Sequence, residues 1–221
     1  WRRRRRLTPG TDFPSPWVIG CDARRGDLEV HLTLFCMAVD WLPAAAEAFS
    51  ASLRRVDRFG EDRLFAPEAV VLDRRMRVDV GFPPLDPPGQ DVVLDMLSPL
   101  VSSGDGAALD PAAVFTTLGR RLEGLARWQE ASLDCDFRSV AADLFAAHWR
   151  WTRLDEVVWR RGSRRQGGRE IPMAGVVGRL VVEAEAERLA RLAPLFRLGE
   201  AVHVGADDAF GCGRCRVGFI D

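Results

Sequence analysis

Residues 201–216 read Ala201-Val202-His203-Val204-Gly205-Ala206-Asp207-Asp208-Ala209-Phe210-Gly211-Cys212-Gly213-Arg214-Cys215-Arg216. Segments 201–204 and 214–219 read as strands flanking a loop with glycine at 205, 211 and 213, a glycine-rich connection. Without Cβ atoms in the way, backbone N–H groups of such a loop can converge on an anion. The plainer reading is a tight hairpin that holds no ligand. Arg214 and Arg216, two apart on a strand, fall on one face and are candidates to clamp phosphates.

Working upstream, 149–159 and 171–182 read as strands and 183–193 as a short helix. Asp110-Pro111 is a strong helix start, an N-cap followed by proline in the first helical position. Val114, Phe115, Leu118, Leu122 and Leu125 then return at helical spacing, and 92–97 is an apolar strand before them. The proline-dense run Gly81-Phe82-Pro83-Pro84-Leu85-Asp86-Pro87-Pro88-Gly89 fits neither helix nor central strand and marks a boundary. In the first half, 28–35 alternates apolar and polar as a half-buried strand does, Asp40 is an N-cap candidate for a helix over 41–55, and 64–72 and 76–80 read as strands. Each half shows a strand-helix-strand-strand rhythm. The expected fold is therefore α+β, with tandem ferredoxin-like (RRM-like) domains over 1–88 and 89–221, the first lacking its opening strand and helix.

The chain has 221 residues, 47% hydrophobic and 29% charged, enough to bury a core without disulfide or metal help. It has no lysine, and the arginines cluster at 2–6, 74–77 and 150–169. A net charge of −1 argues against an indiscriminate polyanion binder, so the clustering is the informative feature. Arg2 to Arg6 reads equally as a nucleic-acid arm or a solvated remnant. No stretch reaches the roughly 20 apolar residues that span a bilayer, which excludes a helical membrane anchor and makes the cytoplasm the expected compartment. Trp1 in place of Met suggests a natural N-terminus that is missing or processed. Cys21, Cys36, Cys135, Cys212 and Cys215 are too few and too scattered for a disulfide framework, and the single CxxC at 212–215 lacks a second ligand pair, so neither a metal site nor a cofactor is expected.

Three blocks carry more. Arg160-Arg161-Gly162-Ser163-Arg164-Arg165-Gln166 is followed by Pro172-Met173-Ala174-Gly175-Val176-Val177-Gly178-Arg179-Leu180 and then by the glycine-rich terminus. In this order and spacing they resemble the C-terminal domain of the CRISPR-associated pre-crRNA-processing endoribonucleases of the RAMP superfamily. Arg160, Ser163, Arg165 and Gln166 match the first block, Gly175 and Gly178 the second, and Gly205, Phe210, Gly211 and Gly213 the terminal loop. The resemblance implies an RNA-binding face built from Arg160, Arg164, Arg165, Gln166, Gly175, Gly178, Gly205, Gly211, Gly213, Arg214 and Arg216. It further implies CRISPR repeat RNA or crRNA as partner, with other effector subunits and a second copy of the chain as further candidates.

It also implies metal-independent cleavage, in which a 2′-hydroxyl attacks the adjacent phosphate with histidine as general base or acid. The family's usual catalytic histidine belongs to the first helical region, the part this chain is expected to lack. The candidates are then His203, beside the loop, and His31, on the polar face of a strand; His148, beside Trp149, reads as a packed or surface residue. Relatives often carry a basic residue after the first loop glycine, whereas Ala206-Asp207-Asp208 follows here, and two acids would repel RNA unless turned away. Trp149 and Trp151 are candidates to stack bases or, more simply, to line a buried sheet face. The competing readings are a non-cleaving RAMP module that scaffolds crRNA and a ferredoxin-like domain with an unrelated protein-binding role.

Overall fold

In the computed structural model, Asp110 caps its helix as expected, with the Ala112 amide donating to Asp110 Oδ1 at 3.0 Å. The structure describes residues 14–24, 27–53, 58–59, 63–64, 91–102, 109–128, 133, 135–163 and 169–220. In chain order these form β1 (Trp17–Arg24), β2 (Asp27–Leu34), a 3-10 turn (Cys36–Trp41), α1 (Leu42–Leu53), the two-residue bridges β3 (Arg58–Phe59) and β4 (Arg63–Leu64), β5 (Asp91–Leu100), α2 (Pro111–Trp128), α3 (Phe137–Ala146), β6 (His148–Ser163), β7 (Arg169–Glu183), α4 (Ala186–Val202), a 3-10 turn (Asp208–Phe210) and β8 (Cys215–Ile220). The class is α+β.

The second half centres on a four-stranded antiparallel sheet in the order β6-β7-β5-β8. Side chains alternate across it. Val92, Leu94, Met96, Leu180, Val182, Cys215 and Val217 face the helices and join Val114, Phe115, Leu118, Leu122, Leu125, Leu189, Leu192 and Phe196 in one core. Trp149 stacks on Phe115 at 5.4 Å and meets Phe196 edge-on, and its indole N–H donates to the Leu144 carbonyl at 2.8 Å. Trp149 and Trp151 therefore belong to the core rather than to a base-stacking surface.

Two expectations need correction, and two elements are found that none covered. The strand expected over 201–204 does not form, because α4 runs on past the exposed Pro194 to Val202. Its stripe of Leu189, Leu192, Ala193, Leu195, Phe196 and Val202 is buried, and that packing outweighs the lost backbone bond at proline. Asp40 is no N-cap, since it lies inside the 3-10 turn that leads directly into α1 at Leu42. β1, unmarked in the sequence reading because Gly20 and Asp22 interrupt its apolar pattern, pairs with β2 from Trp17↔Leu34 to Arg24↔Asp27. α3 was also unmarked; Asp136 caps it, accepting from the Arg138 amide and the Ser139 hydroxyl. The proline-dense boundary at 81–89 and the strands expected over 64–72 and 76–80, Leu64 apart, lie outside the described residues.

Candidate functional site

The glycine-rich loop docks onto the end of β5. Val204 N–H donates to Gly213 O, Ala206 N–H to Val101 O, and Gly213 N–H to Pro99 O, while the amides of Phe210, Gly211 and Cys212 turn back onto Asp207 and Asp208 carbonyls. These amides are engaged by the chain itself, so the open anion nest expected of the loop is not what its glycines build. They permit close approach instead. Gly213, at φ +70, sits where a Cβ would overlap the Val204 carbonyl oxygen. Gly178 serves the same end beside the register shift in the β6–β7 pairing, since a Cβ there would overlap the Arg153 carbonyl oxygen. Gly175 packs against Pro99 and Leu100, and Gly205 against Val101.

Loop and hairpin meet at β1. Gly211 abuts the Ile19 carbonyl, and the next residue of β1, Gly20, lies under both the His31 ring and the Arg214 side chain. Arg214 Nη1 donates to Asp22 Oδ1 at 2.7 Å, and His31 Nε2 lies 3.0 Å from Asp22 Oδ2. Glu29 stands 3.6 Å from the other ring nitrogen. Bonds from Arg214 and then His31 hold the Asp22 carboxyl down to about 2, so it is an anion at neutral pH and accepts from both partners. A carboxylate only accepts, so His31 donates through Nε2 in this contact, and its Nδ1 side faces the Glu29 carboxylate. The His31 side chain keeps 37% of its surface and Asp22 25%. An imidazole, a carboxylate and a guanidinium thus converge on a half-open edge.

His203 sits differently. It follows α4 at φ 63, is 5% exposed, and its Nδ1 lies 3.2 Å from the Cys212 carbonyl. Burial pushes its pKa down to about 4, which keeps the ring neutral and turned into the loop. His148 pairs with Glu183 at the opposite end of the sheet, exposed and far from the loop.

The two loop acids have separate fates. Asp208 turns inward to a salt bridge with Arg121 of α2, both nearly buried, so it is neutralised rather than opposed to RNA. Asp207 takes a left-handed conformation and lends its carbonyl to the turn. Cys212 and Cys215 are buried, with burial pushing their thiols up to about 11 and about 12. Among the described residues no three His, Cys, Asp or Glu side chains gather to hold a metal ion.

The expected clamp of Arg214 and Arg216 is divided. Arg214 is committed to Asp22, whereas Arg216 is exposed on the sheet face away from the helices, opposite Asp95. There Arg179 grips Asp95 through two bonds of 2.7 and 3.0 Å, with Arg153 alongside. Three arginines surround one carboxylate, while Val93 and Val181 farther along that face are buried. Arg160 is exposed and pairs with Glu170 at 2.9 Å. Arg164, Arg165 and Gln166 lie outside the described residues, as does the side chain of Ser163. Sequence reading missed Asp22, Asp95 and Arg179; the period-two spacing of Asp95 within β5 and Arg179 within β7 was the available signal, and for Asp22 there was none, because its strand was not recognised.

Among solved structures, a Cas6 product complex superposes with a TM-score of 0.58 at 23% identity, covering 96% of this chain and 84% of that one. A Thermus thermophilus Cas6 gives 0.53 at 12% identity, covering 97% and 82%. These likenesses establish the shared fold. No curated protein was found to match the sequence. The family model for the CRISPR-associated endoribonuclease Cas6 matches residues 94–215, more than half the chain, from β5 through the glycine-rich loop to the first residue of β8. The chain belongs to the CRISPR-associated endoribonuclease Cas6 family.

Proposed function

We propose that this chain binds CRISPR repeat RNA and cuts it without a metal, a 2′-hydroxyl attacking the adjacent phosphate at the junction of β1, β2 and the glycine-rich loop. The observation that carries this reading is the Arg214–Asp22–His31 chain of hydrogen bonds at a half-open edge. His31, oriented by its bond to Asp22, is the proton-transfer group that takes the hydroxyl proton. The Arg214 guanidinium beside it offsets charge that develops on the phosphate. His203, buried and neutral, serves the loop's structure in this reading and moves behind His31 as a catalytic candidate. Arg216 and Arg160 hold flanking phosphates, with Arg164, Arg165 and Gln166 expected to add to the same face. The β5 to β8 sheet supports a ferredoxin-like C-terminal domain at 89–221, and the tandem arrangement with 1–88 goes with it. An RNA substrate of this kind is met in the cytoplasm.

A second reading, a non-cleaving module that holds crRNA, is favoured by α1, which has no histidine. The chain incubated with its cognate repeat RNA in EDTA separates the two. The first reading expects a gel shift and a product ending in a 2′,3′-cyclic phosphate, with cleavage lost in His31→Ala and kept in His203→Ala where that variant folds. A shift without cutting in the unmodified chain overturns the cleavage reading.

A further inference from the structure

Phe210 is 60% exposed at the tip of the glycine-rich loop. An isolated exposed apolar side chain is ordinary. This one is set apart by how it is held. Its amide donates to the Asp207 carbonyl, the next amide donates to Asp208, and Gly211 turns the chain at φ 90 against the Ile19 carbonyl, so the ring is fixed outward. Arg161 of β6 lays its guanidinium carbon 4.0 Å from the ring centroid. Arg150, Arg153 and Arg160 of the same strand each pair with a carboxylate, whereas among the described residues Arg161 has no acidic partner. One arginine of β6 thus lies against an aromatic ring and, among the described residues, has no carboxylate to offset its charge.

We infer that Phe210, backed by Arg161, is a stacking platform for a single unpaired RNA base next to the scissile phosphate. The inference rests on the RNA reading above and names a contact that reading leaves open. An aromatic ring clamped on one side by a cation offers its other face to a base, and the guanidinium draws the adjoining phosphate. The position suits this role. Ile19 touches Gly211 beside the ring, and Gly20, its neighbour in β1, underlies His31 and Arg214. A base seated on Phe210 holds its own sugar-phosphate near the proposed reacting groups, and stacking needs no particular base sequence.

The test uses cognate repeat RNA carrying 2-aminopurine at each unpaired position in turn, with the unmodified chain, Phe210→Ala and Phe210→Trp. One position should be strongly quenched on binding to the unmodified chain and to Phe210→Trp. In Phe210→Ala that quenching should vanish and affinity should fall about tenfold, with the salt dependence unchanged because no charge is removed. Phe210 is exposed, so equal thermal melts of the variants are expected. If the unmodified chain binds RNA but Phe210→Ala shows equal quenching and affinity, or no position is quenched, the platform is overturned and RNA binding stands. If the unmodified chain binds no repeat RNA, the RNA reading falls and takes the platform with it.

Discussion

Arg214 Nη1 donates to Asp22 Oδ1 at 2.7 Å, a bond that ties the glycine-rich loop to a strand 192 residues earlier. Both side chains keep about a quarter of their surface, so the pair is worth more than an open surface ion pair and less than a buried one. A double-mutant cycle of Asp22→Asn and Arg214→Gln should return a coupling of about 1 kcal/mol in urea unfolding at neutral pH. Because the folded carboxyl titrates at about 2, below its unfolded value, that coupling should persist above about pH 4 and fade as the pH drops toward 2. Additive single mutants would remove the bridge between hairpin and loop.

The Arg121–Asp208 pair answers a different question, why an acid is tolerated in a loop expected to meet RNA. Both side chains are about nine-tenths buried. Arg121→Ala removes the cation paired with the nearly buried Asp208 and should cost roughly 3–5 kcal/mol, and the pairwise change to Met and Leu should cost far less. Chemical denaturation of the three proteins checks this. A single mutant no worse than the double would show that Asp208 reaches solvent without its partner.

How far the sequence carried differs between the two halves. In the second half, Asp110-Pro111 and the stripe from Val114 to Leu125 yield to capping and period rules because the helix buries one regular face, and the apolar runs at 92–97 and 171–182 yield as strands. Where tertiary contact overrides local preference, those rules fail: Pro194 reads as a stop, yet α4 continues because Leu195, Phe196 and Val202 are buried beyond it. The site is hidden for a related reason. His31 and Arg214 were legible as candidates, but Asp22, the residue that joins them, sits in a strand whose Gly20 breaks the apolar pattern so that the His31 ring can lie across it. The glycines were legible as a loop and misleading as an anion nest, since hydrogen bonds to Pro99 and Val101 are invisible without the fold.

His203 links that loop to pH. Its folded pKa, about 4, lies below the value near 6.5 of an unfolded histidine, so the unfolded chain binds the proton more readily in between. The contribution of His203 is therefore complete above about pH 6.5 and is lost progressively down to about pH 4, up to about 3 kcal/mol for so buried a ring. Urea unfolding at pH 7 and pH 4.5 should show a steeper loss in the unmodified chain than in His203→Gln. Equal slopes would mean that the ring is reached by solvent, and would return His203 to contention as a proton-transfer group.

The helix-free face gives predictions of opposite sign. Arg216 is exposed there opposite Asp95, while Arg165 belongs to the segment between β6 and β7 expected to join that face. In the Arg165→Ala/Arg216→Ala double variant, repeat-RNA affinity should fall and the slope of log K against log salt should flatten by about 1 for each phosphate no longer neutralised. Asp95 works against binding. Arg179 grips it through two bonds, with Arg216 and Arg153 near enough to lower its pKa further, so this single carboxylate offsets part of a three-arginine patch. Asp95→Asn frees the Arg179 guanidinium and lifts the nearby negative charge from Arg216, while Arg153 stays paired with Asp155, and should tighten RNA binding while steepening the salt slope. Filter binding over about 50 to about 300 mM salt distinguishes the two variants. Should both lose affinity alike, the arginines act by shaping the sheet rather than by meeting phosphate, and the RNA face lies elsewhere on the molecule.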